Sequence, residues 1–173
     1  MNNSMIRHSF RFILFIFLQV MIFNNILFMG YINPYVYLLF IILLPFNKSN
    51  KNLTLFIALG TGLIIDAFQN SMGMHAFTCV LIAYVRTPIL YRLVPQLKNK
   101  SQTMIEVSMK EFGVQICVIY TTLLVFIHHL VLFTIEAFRF DIGNILLRTI
   151  ASALITSFLL IIFQFLNSRN TLN

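Results

Sequence analysis

Six polar or ionisable residues stand in or beside long apolar stretches of this chain and are its best candidates for chemistry: Asp66, His75, His129, Glu136, Arg148 and Ser152. Asp66 directly follows the apolar run Gly-Leu-Ile-Ile, and His75 follows Asp66 after a short turn that contains Gly73. A charged side chain inside a membrane is costly, so such groups usually face the protein interior and pair with one another. Their presence therefore indicates either a structural network or a functional site.

The spacing of these residues predicts one polar cluster near the outer face of a helical bundle. His129 and Glu136 are seven residues apart and share a helical face. Ser152 follows Arg148 by one helical turn, and Arg148 is the natural counter-ion for Asp66 or Glu136. Three interpretations stay open: the cluster pins helices together, contacts a partner protein, or binds a substrate.

Other spacings give little support for catalysis or for a bound cofactor. His128 and His129 are adjacent, so on a helix they point about 100° apart and do not chelate a metal together. The Gly-x-Gly at Gly60 and Gly62 lies within an apolar helix, where close helix packing is a better explanation than nucleotide binding. Cys79 is expected to be a small buried hydrophobe. We predict no catalytic, cofactor-binding or metal-binding residues, and a protein that is not an enzyme.

The elements that position these residues are predicted to be transmembrane helices. The chain is 59% hydrophobic and 10% charged, whereas soluble domains are about half apolar and about a quarter charged. Its apolar runs are continuous and lack the alternation of a membrane barrel. We therefore predict an all-α, polytopic membrane bundle of about six transmembrane helices that forms one integral membrane domain over residues 1–173.

The apolar segments define the predicted spans, which are about 12–29, 35–46, 53–68, 75–94, 112–137 and 142–166. A helix needs roughly 20 residues to cross the hydrocarbon layer. Segment 35–46 is short and is bracketed by Pro34 and Pro45, so it is interpreted as a short span, with a re-entrant segment as the alternative. Residues 95–111 form a predicted cytoplasmic loop. Residues 104–112, at its end, have the pattern of an amphipathic helix that leads into the fifth span.

The charges predict the orientation of the chain. With six spans and a cytoplasmic N-terminus, ten of the 12 Lys and Arg residues lie on the cytoplasmic side and two on the outer side. Short cytoplasmic loops carry such an excess of basic residues. We therefore expect both termini in the cytoplasm, and Arg86 to extend toward that interface. The net charge of +7 is then mostly this cytoplasmic bias, with some affinity for anionic lipid headgroups, and does not indicate nucleic-acid binding.

Polar residues in the first span allow two interpretations. Gln19, Asn24 and Asn25 lie toward its outer half. Their side chains could be satisfied within the bundle or at the interface, or they could bind the transmembrane helix of a partner.

Several short motifs, taken in order, resemble the rod shape-determining membrane protein family MreD, in its Bacteroidetes-type branch. The resemblance extends over nearly the whole chain. Its motifs are Asn33-Pro34, Leu44-Pro45-Phe46, Gly62-Leu63-Ile64-Ile65-Asp66, Gly73-Met74-His75-Ala76, Ala83-Tyr84-Val85-Arg86, Lys110-Glu111-Phe112-Gly113, His128-His129, Glu136-Ala137-Phe138, Arg148 and Ser152.

This resemblance implies a function that the residue pattern alone does not. MreD-like proteins are non-enzymatic scaffolds in the bacterial inner membrane, within the machinery that builds lateral peptidoglycan during cell elongation. The implied partners are an MreC-like protein, the MreB filament, RodA and a penicillin-binding transpeptidase. The implied fold is similar to the substrate-binding S-component of energy-coupling-factor transporters, so a vitamin or metal transporter component is the alternative function. An outward-facing pocket lined by convergent polar and aromatic groups would favour that alternative.

Overall fold

A computed structural model describes residues 3–26, 32–46, 51–98, 107–137 and 141–169. In these ranges the long regular elements are helices, which confirms the prediction of an all-α bundle. They are α1 (Asn3–Met21), α2 (Leu38–Leu43), α3 (Lys51–Gln69), α4 (Met74–Leu93), α5 (Met109–Glu136) and α6 (Ile142–Arg169), with short 3-10 turns at Phe23–Asn25 and Pro95–Lys98.

Five of the described helices are long and apolar enough to cross a membrane, as expected for a polytopic membrane protein. Their apolar windows are His8–Asn25, Asn52–Gln69, Met74–Leu93, Met109–Glu136 and Ile142–Ser168. Helix α2 is different because it contains only six residues.

The helices pack as two antiparallel hairpins with additional elements beside them. Helix α3 packs on α4, α5 packs on α6, α4 contacts α5, and α1 contacts α2 and α3. Arg11 Nη2 donates to Asn167 Oδ1 at 3.3 Å, so the beginning of α1 and the end of α6 lie at the same end of the bundle. We call this the basic end. The opposite end, where α3 turns into α4 through residues 70–73, is called the hairpin end.

Residues 32–46, here called the central segment, run through the middle of the bundle from one end to the other. Tyr35 contacts the ring of His129 toward the hairpin end, and Phe46 contacts Tyr91 near the end of α4. All residues from 34 to 44 are buried. Helix α2 ends at Leu43 because Pro45 disfavours a helical conformation in the residue before it. Leu44, which precedes Pro45, accordingly has ψ 138°.

Helix α5 begins with a single turn that is separated from its long part. Ser108 Oγ accepts a hydrogen bond from the Glu111 N–H at 3.3 Å and caps this turn. Gly113 then interrupts the helix with φ 80° and ψ 161°, a conformation that favours glycine. The predicted amphipathic helix over 104–112 is described only from residue 107. Residues 27–29 of the first predicted span and 99–106 of the predicted loop lie outside the described ranges.

Candidate functional site

The polar side chains inside the bundle surround the central segment and bind its main chain. Outside the six residues of α2, this segment has backbone N–H and C=O groups that lack helical partners. In a membrane such groups must be satisfied within the protein. Three of the flanking elements, α1, α4 and α6, supply a side chain for this purpose.

Gln19 of α1 binds the non-helical part of the central segment that precedes α2. Its Oε1 accepts from the Val36 N–H at 2.8 Å and from the Tyr37 N–H at 3.4 Å, and its Nε2 donates to the Pro34 carbonyl at 3.2 Å. Gln19 is fully buried. Its Nε2 also donates to Asn24 Oδ1 at 2.9 Å. Of the two interpretations for the polar residues of the first span, satisfaction within the bundle is therefore confirmed for Gln19 and Asn24.

The predicted residues Ser152 and His129 belong to the same arrangement. Ser152 Oγ accepts from the Asn33 N–H at 3.2 Å, and Thr156 Oγ1, one turn later on α6, accepts from the Tyr35 N–H at 3.3 Å. His129 Nδ1 lies 2.9 Å from the Val125 carbonyl and so carries the hydrogen. Its Nε2 is then an acceptor for the Thr156 hydroxyl, 3.2 Å away.

A second network connects the predicted residue His75 to residues that the sequence analysis did not select. Gln69 Oε1 lies 2.8 Å from His75 Nε2, and the Tyr37 hydroxyl lies 2.9 Å from both His75 Nδ1 and His128 Nε2. Because the Gln69 oxygen accepts from His75 Nε2–H, His75 Nδ1 is an acceptor for the Tyr37 hydroxyl. The tyrosine oxygen then accepts from His128 Nε2–H. Gln69 Nε2 also donates to Asn24 Oδ1 at 2.7 Å, which extends the network to the end of α1.

Asp66 caps helix α4 and does not pair with a cation among the described residues. Its Oδ1 accepts from the Ser71 hydroxyl at 2.5 Å and from the His75 N–H at 3.0 Å, while its Oδ2 accepts from the Ala76 N–H at 2.8 Å. A carboxylate at a helix N-terminus satisfies N–H groups that lack helical partners and interacts favourably with the helix dipole. The sequence Gly-Leu-Ile-Ile-Asp thus ends in a residue of α3 that fixes the start of α4.

Gly62 allows α3 and α4 to approach closely enough for this cap. A Cβ atom at Gly62 would lie 2.3 Å from Ala76 Cα and 2.7 Å from the His75 carbonyl oxygen. At Gly60 a Cβ would have no neighbour within 4 Å. The predicted role of the Gly-x-Gly in close packing is therefore confirmed for Gly62 and not for Gly60.

Glu136 and Arg148 form an ion pair away from Asp66. Arg148 Nη1 lies 3.0 Å from Glu136 Oε2, with side chains that are 28% and 41% exposed, respectively. The Arg148 guanidinium carbon also lies 4.1 Å from the centre of the Phe133 ring. Of the two predicted counter-ions, Glu136 is the one used. The six predicted residues therefore take part in three sets of direct contacts, and two of these sets are connected by the Tyr35 ring, whose centre lies 5.1 Å from that of His75 and 5.2 Å from that of His129.

Arg86 was predicted to extend toward the cytoplasmic interface, and this prediction is wrong. Arg86 is 2% exposed, and its guanidinium donates to the Ile41 carbonyl at 2.5 Å and to the Leu44 carbonyl. These carbonyls lie at the end of α2, where a helix lacks donors and carries partial negative charge. The side chain is held inside by the central segment, which the sequence pattern of α4 alone does not reveal.

Two cavities lie at opposite ends of the bundle. The cavity at the hairpin end measures about 480 Å³ and is lined by the apolar residues Val20, Phe23, Ile26 and Phe68 and by Asn24, Asn25, Asn33, Tyr35 and Gln69. The cavity toward the basic end measures about 420 Å³, lies between α3, α4 and the end of the central segment, and includes Arg86 in its wall.

The described residues contain no group of three His, Cys, Asp or Glu side chains arranged to hold a metal ion. Cys79 and Cys117 are free thiols, both buried. Comparison of the chain with protein-family models, with curated proteins and with solved structures returned no match.

Proposed function

We propose that this protein is a non-enzymatic scaffold of the machinery that elongates rod-shaped bacterial cells, as its resemblance to the MreD family implies. The single observation that supports this proposal best is the use of the buried polar side chains. Gln19, Ser152, Thr156 and Arg86 bind the backbone of the central segment, and Asp66 binds the start of α4. These groups hold the fold together, as a scaffold requires.

The position of the central segment supports a scaffold over a transporter component. A substrate-binding bundle keeps a cavity between its helices for the ligand. Here the middle of the bundle is occupied by the chain itself, with Val36, Tyr37, Leu38, Ile41 and Ile42 fully buried. Asp66, Glu136 and Arg148, which were the candidate ligand residues, are satisfied in separate places.

The proposed location is the inner membrane with both termini in the cytoplasm. Arg11 contacts Asn167 near the end of α6, and the predicted cytoplasmic residues Arg92 and Lys110 lie in the last turn of α4 and the first turn of α5. A basic end of this kind stays in the cytoplasm during insertion. The proposed partners are then an MreC-like protein, RodA and a penicillin-binding transpeptidase within the membrane, and MreB on the cytoplasmic side.

The decisive experiment is co-purification from native membranes with a tag at the C-terminus. We expect recovery of an MreC-like protein together with RodA or a penicillin-binding transpeptidase. Recovery should persist with Gly60→Ala, which fits the fold, and fall with Gly62→Ala, which separates α3 from α4. Recovery of none of these proteins from a stable wild-type chain would contradict the scaffold proposal.

One observation favours the transporter component as a second candidate. The cavity at the hairpin end is within the usual size range of ligand pockets, about 300–1,000 Å³, and three asparagines, Tyr35 and Gln69 line it. If this candidate is correct, the same purification should recover paired ATPases and a coupling subunit. In that case the lining amides become ligand-site candidates.

A further inference from the structure

Arg86 is a buried cation that has no carboxylate partner among the described residues. Of the five acidic residues in the chain, four are described. Asp66 caps α4, Glu136 pairs with Arg148, Asp141 accepts from Asn144, and Glu111 is exposed on the first turn of α5. The guanidinium of Arg86 donates to two neutral carbonyls, those of Ile41 and Leu44. A buried charge that is not neutralised is unfavourable, particularly in a membrane.

The cavity of about 420 Å³ lies directly beside this cation. Arg86 forms part of its wall, and the guanidinium has five N–H donors, of which the two carbonyls occupy two. Most of the wall is apolar, with Leu55, Phe46 and Tyr91 among its residues, whereas Asn52 and Thr87 add polar groups. Arg86 lies seven residues before the end of α4, which is about 10 Å along the helix axis.

We propose that this cavity binds an anionic phospholipid, with the phosphate against Arg86 and an acyl chain along the apolar wall. A single buried positive charge selects a headgroup with net negative charge. A zwitterionic choline headgroup is disfavoured because it would bring a second cation close to Arg86. The apolar wall favours a lipid over free phosphate, which has no apolar part to bury. This inference is independent of the proposed scaffold function.

The test measures the thermal stability of the purified full-length chain in detergent. The midpoint is followed by the reaction of a thiol-specific dye with Cys79 and Cys117, which are 0% and 1% exposed and react only on unfolding. The probes are dioleoyl phosphatidylglycerol, dioleoyl phosphatidylcholine and inorganic phosphate. We expect phosphatidylglycerol to raise the midpoint by at least roughly 3 °C over phosphatidylcholine, and inorganic phosphate to have no effect.

A pair of variants at Thr87 separates this cavity from general attraction to a basic protein. Thr87 is partly buried and lines the cavity. Thr87→Phe fills the cavity without changing any charge and should abolish the shift, whereas Thr87→Val keeps the size of the side chain and should retain it. Arg86→Gln should also abolish the shift; if that variant does not fold, the Thr87 pair decides. An undiminished shift in Thr87→Phe would overturn the proposal, and an equal shift with inorganic phosphate would overturn the assignment to a lipid.

Discussion

At the scale of single residues, the buried polar groups bind backbone atoms more often than they bind one another. Asp66 accepts from two backbone N–H groups, and Gln19 binds three backbone groups of the central segment. This is why the sequence pattern assigned Asp66 and Glu136 equal standing as counter-ions of Arg148 and did not predict the role of Asp66 as a helix cap. Two side chains that pair must both be polar, so the sequence shows them. A backbone N–H group is present in every residue except proline, so the sequence does not show which one a polar side chain will bind.

We expect Asp66→Ala to lower the free energy of unfolding by about 2–3 kcal/mol, because hydrogen bonds to a charged group contribute about 1.5–3 kcal/mol. Asp66→Asn should have an intermediate effect, since it keeps one acceptor but places an amide donor near a backbone N–H. The measurement is the thermal midpoint reported by Cys79 and Cys117. Wild-type stability in both variants would show that Asp66 is not a cap.

Tyr37→Phe should destabilise the bundle by about 1–3 kcal/mol, the usual cost of leaving a buried polar group without a partner. It removes the hydroxyl between His75 and His128, both of which are buried. Tyr35→Phe is the matched control. Its hydroxyl accepts a long hydrogen bond of 3.4 Å from the Asn33 side chain, so the midpoint should fall less. Equal losses in the two variants would contradict the assigned network.

At the scale of elements, the α3–α4 hairpin and the central segment differ in how far sequence predicts them. The bounds of α3 to α6 follow from apolar runs, and Pro45 marks the end of α2. Helix α1 is different, because it runs from Asn3 to Met21 and not over the predicted 12–29. The non-helical conformation of residues 32–37 could not be predicted. It depends on Gln19, Ser152 and Thr156, which come from helices distant in the sequence.

The two glycines of α3 provide a matched test of the hairpin. Gly62→Ala should lower stability by about 2–3 kcal/mol, because the added methyl would collide with backbone atoms of α4 and overpacking typically costs about 1–3 kcal/mol. Gly60→Ala should leave stability unchanged or raise it by up to about 1 kcal/mol, since alanine is the better helix former. Both midpoints are measured in the same detergent. A larger loss at Gly60 than at Gly62 would refute the predicted packing.

At the scale of the whole molecule, the contact between Arg11 and Asn167 brings α1 and the end of α6 together at one end of the bundle. The distribution of basic residues predicts both termini on one side of the membrane, because charge and hydrophobicity act over whole segments and do not require atomic detail. The internal arrangement needs that detail. The separation of the predicted cluster into three parts depends on which helices are neighbours, and a single sequence does not contain that information.

Single cysteines can test the sidedness with a membrane-impermeant thiol reagent. Met72→Cys lies in the α3–α4 turn, where the side chain is 99% exposed, and Asn167→Cys lies beside Arg11 at the basic end. We expect Met72→Cys to react from the periplasmic side and Asn167→Cys only after the cytoplasmic face is opened. The wild-type chain is the control, since its two cysteines are buried. Reaction of both variants from one side would contradict the arrangement.

The central segment also has a consequence for biosynthesis. The ribosome completes residues 32–46 early, but Thr156, which binds the Tyr35 N–H, is made 121 residues later. Until α6 is inserted, the non-helical residues 32–37 therefore lack the hydrogen-bond partners that α6 provides. A chain that stops after α5 should be unable to hide this stretch and should be recognised and degraded by membrane quality-control proteases. Insertion of α6 thus determines whether the central segment is stable in the membrane.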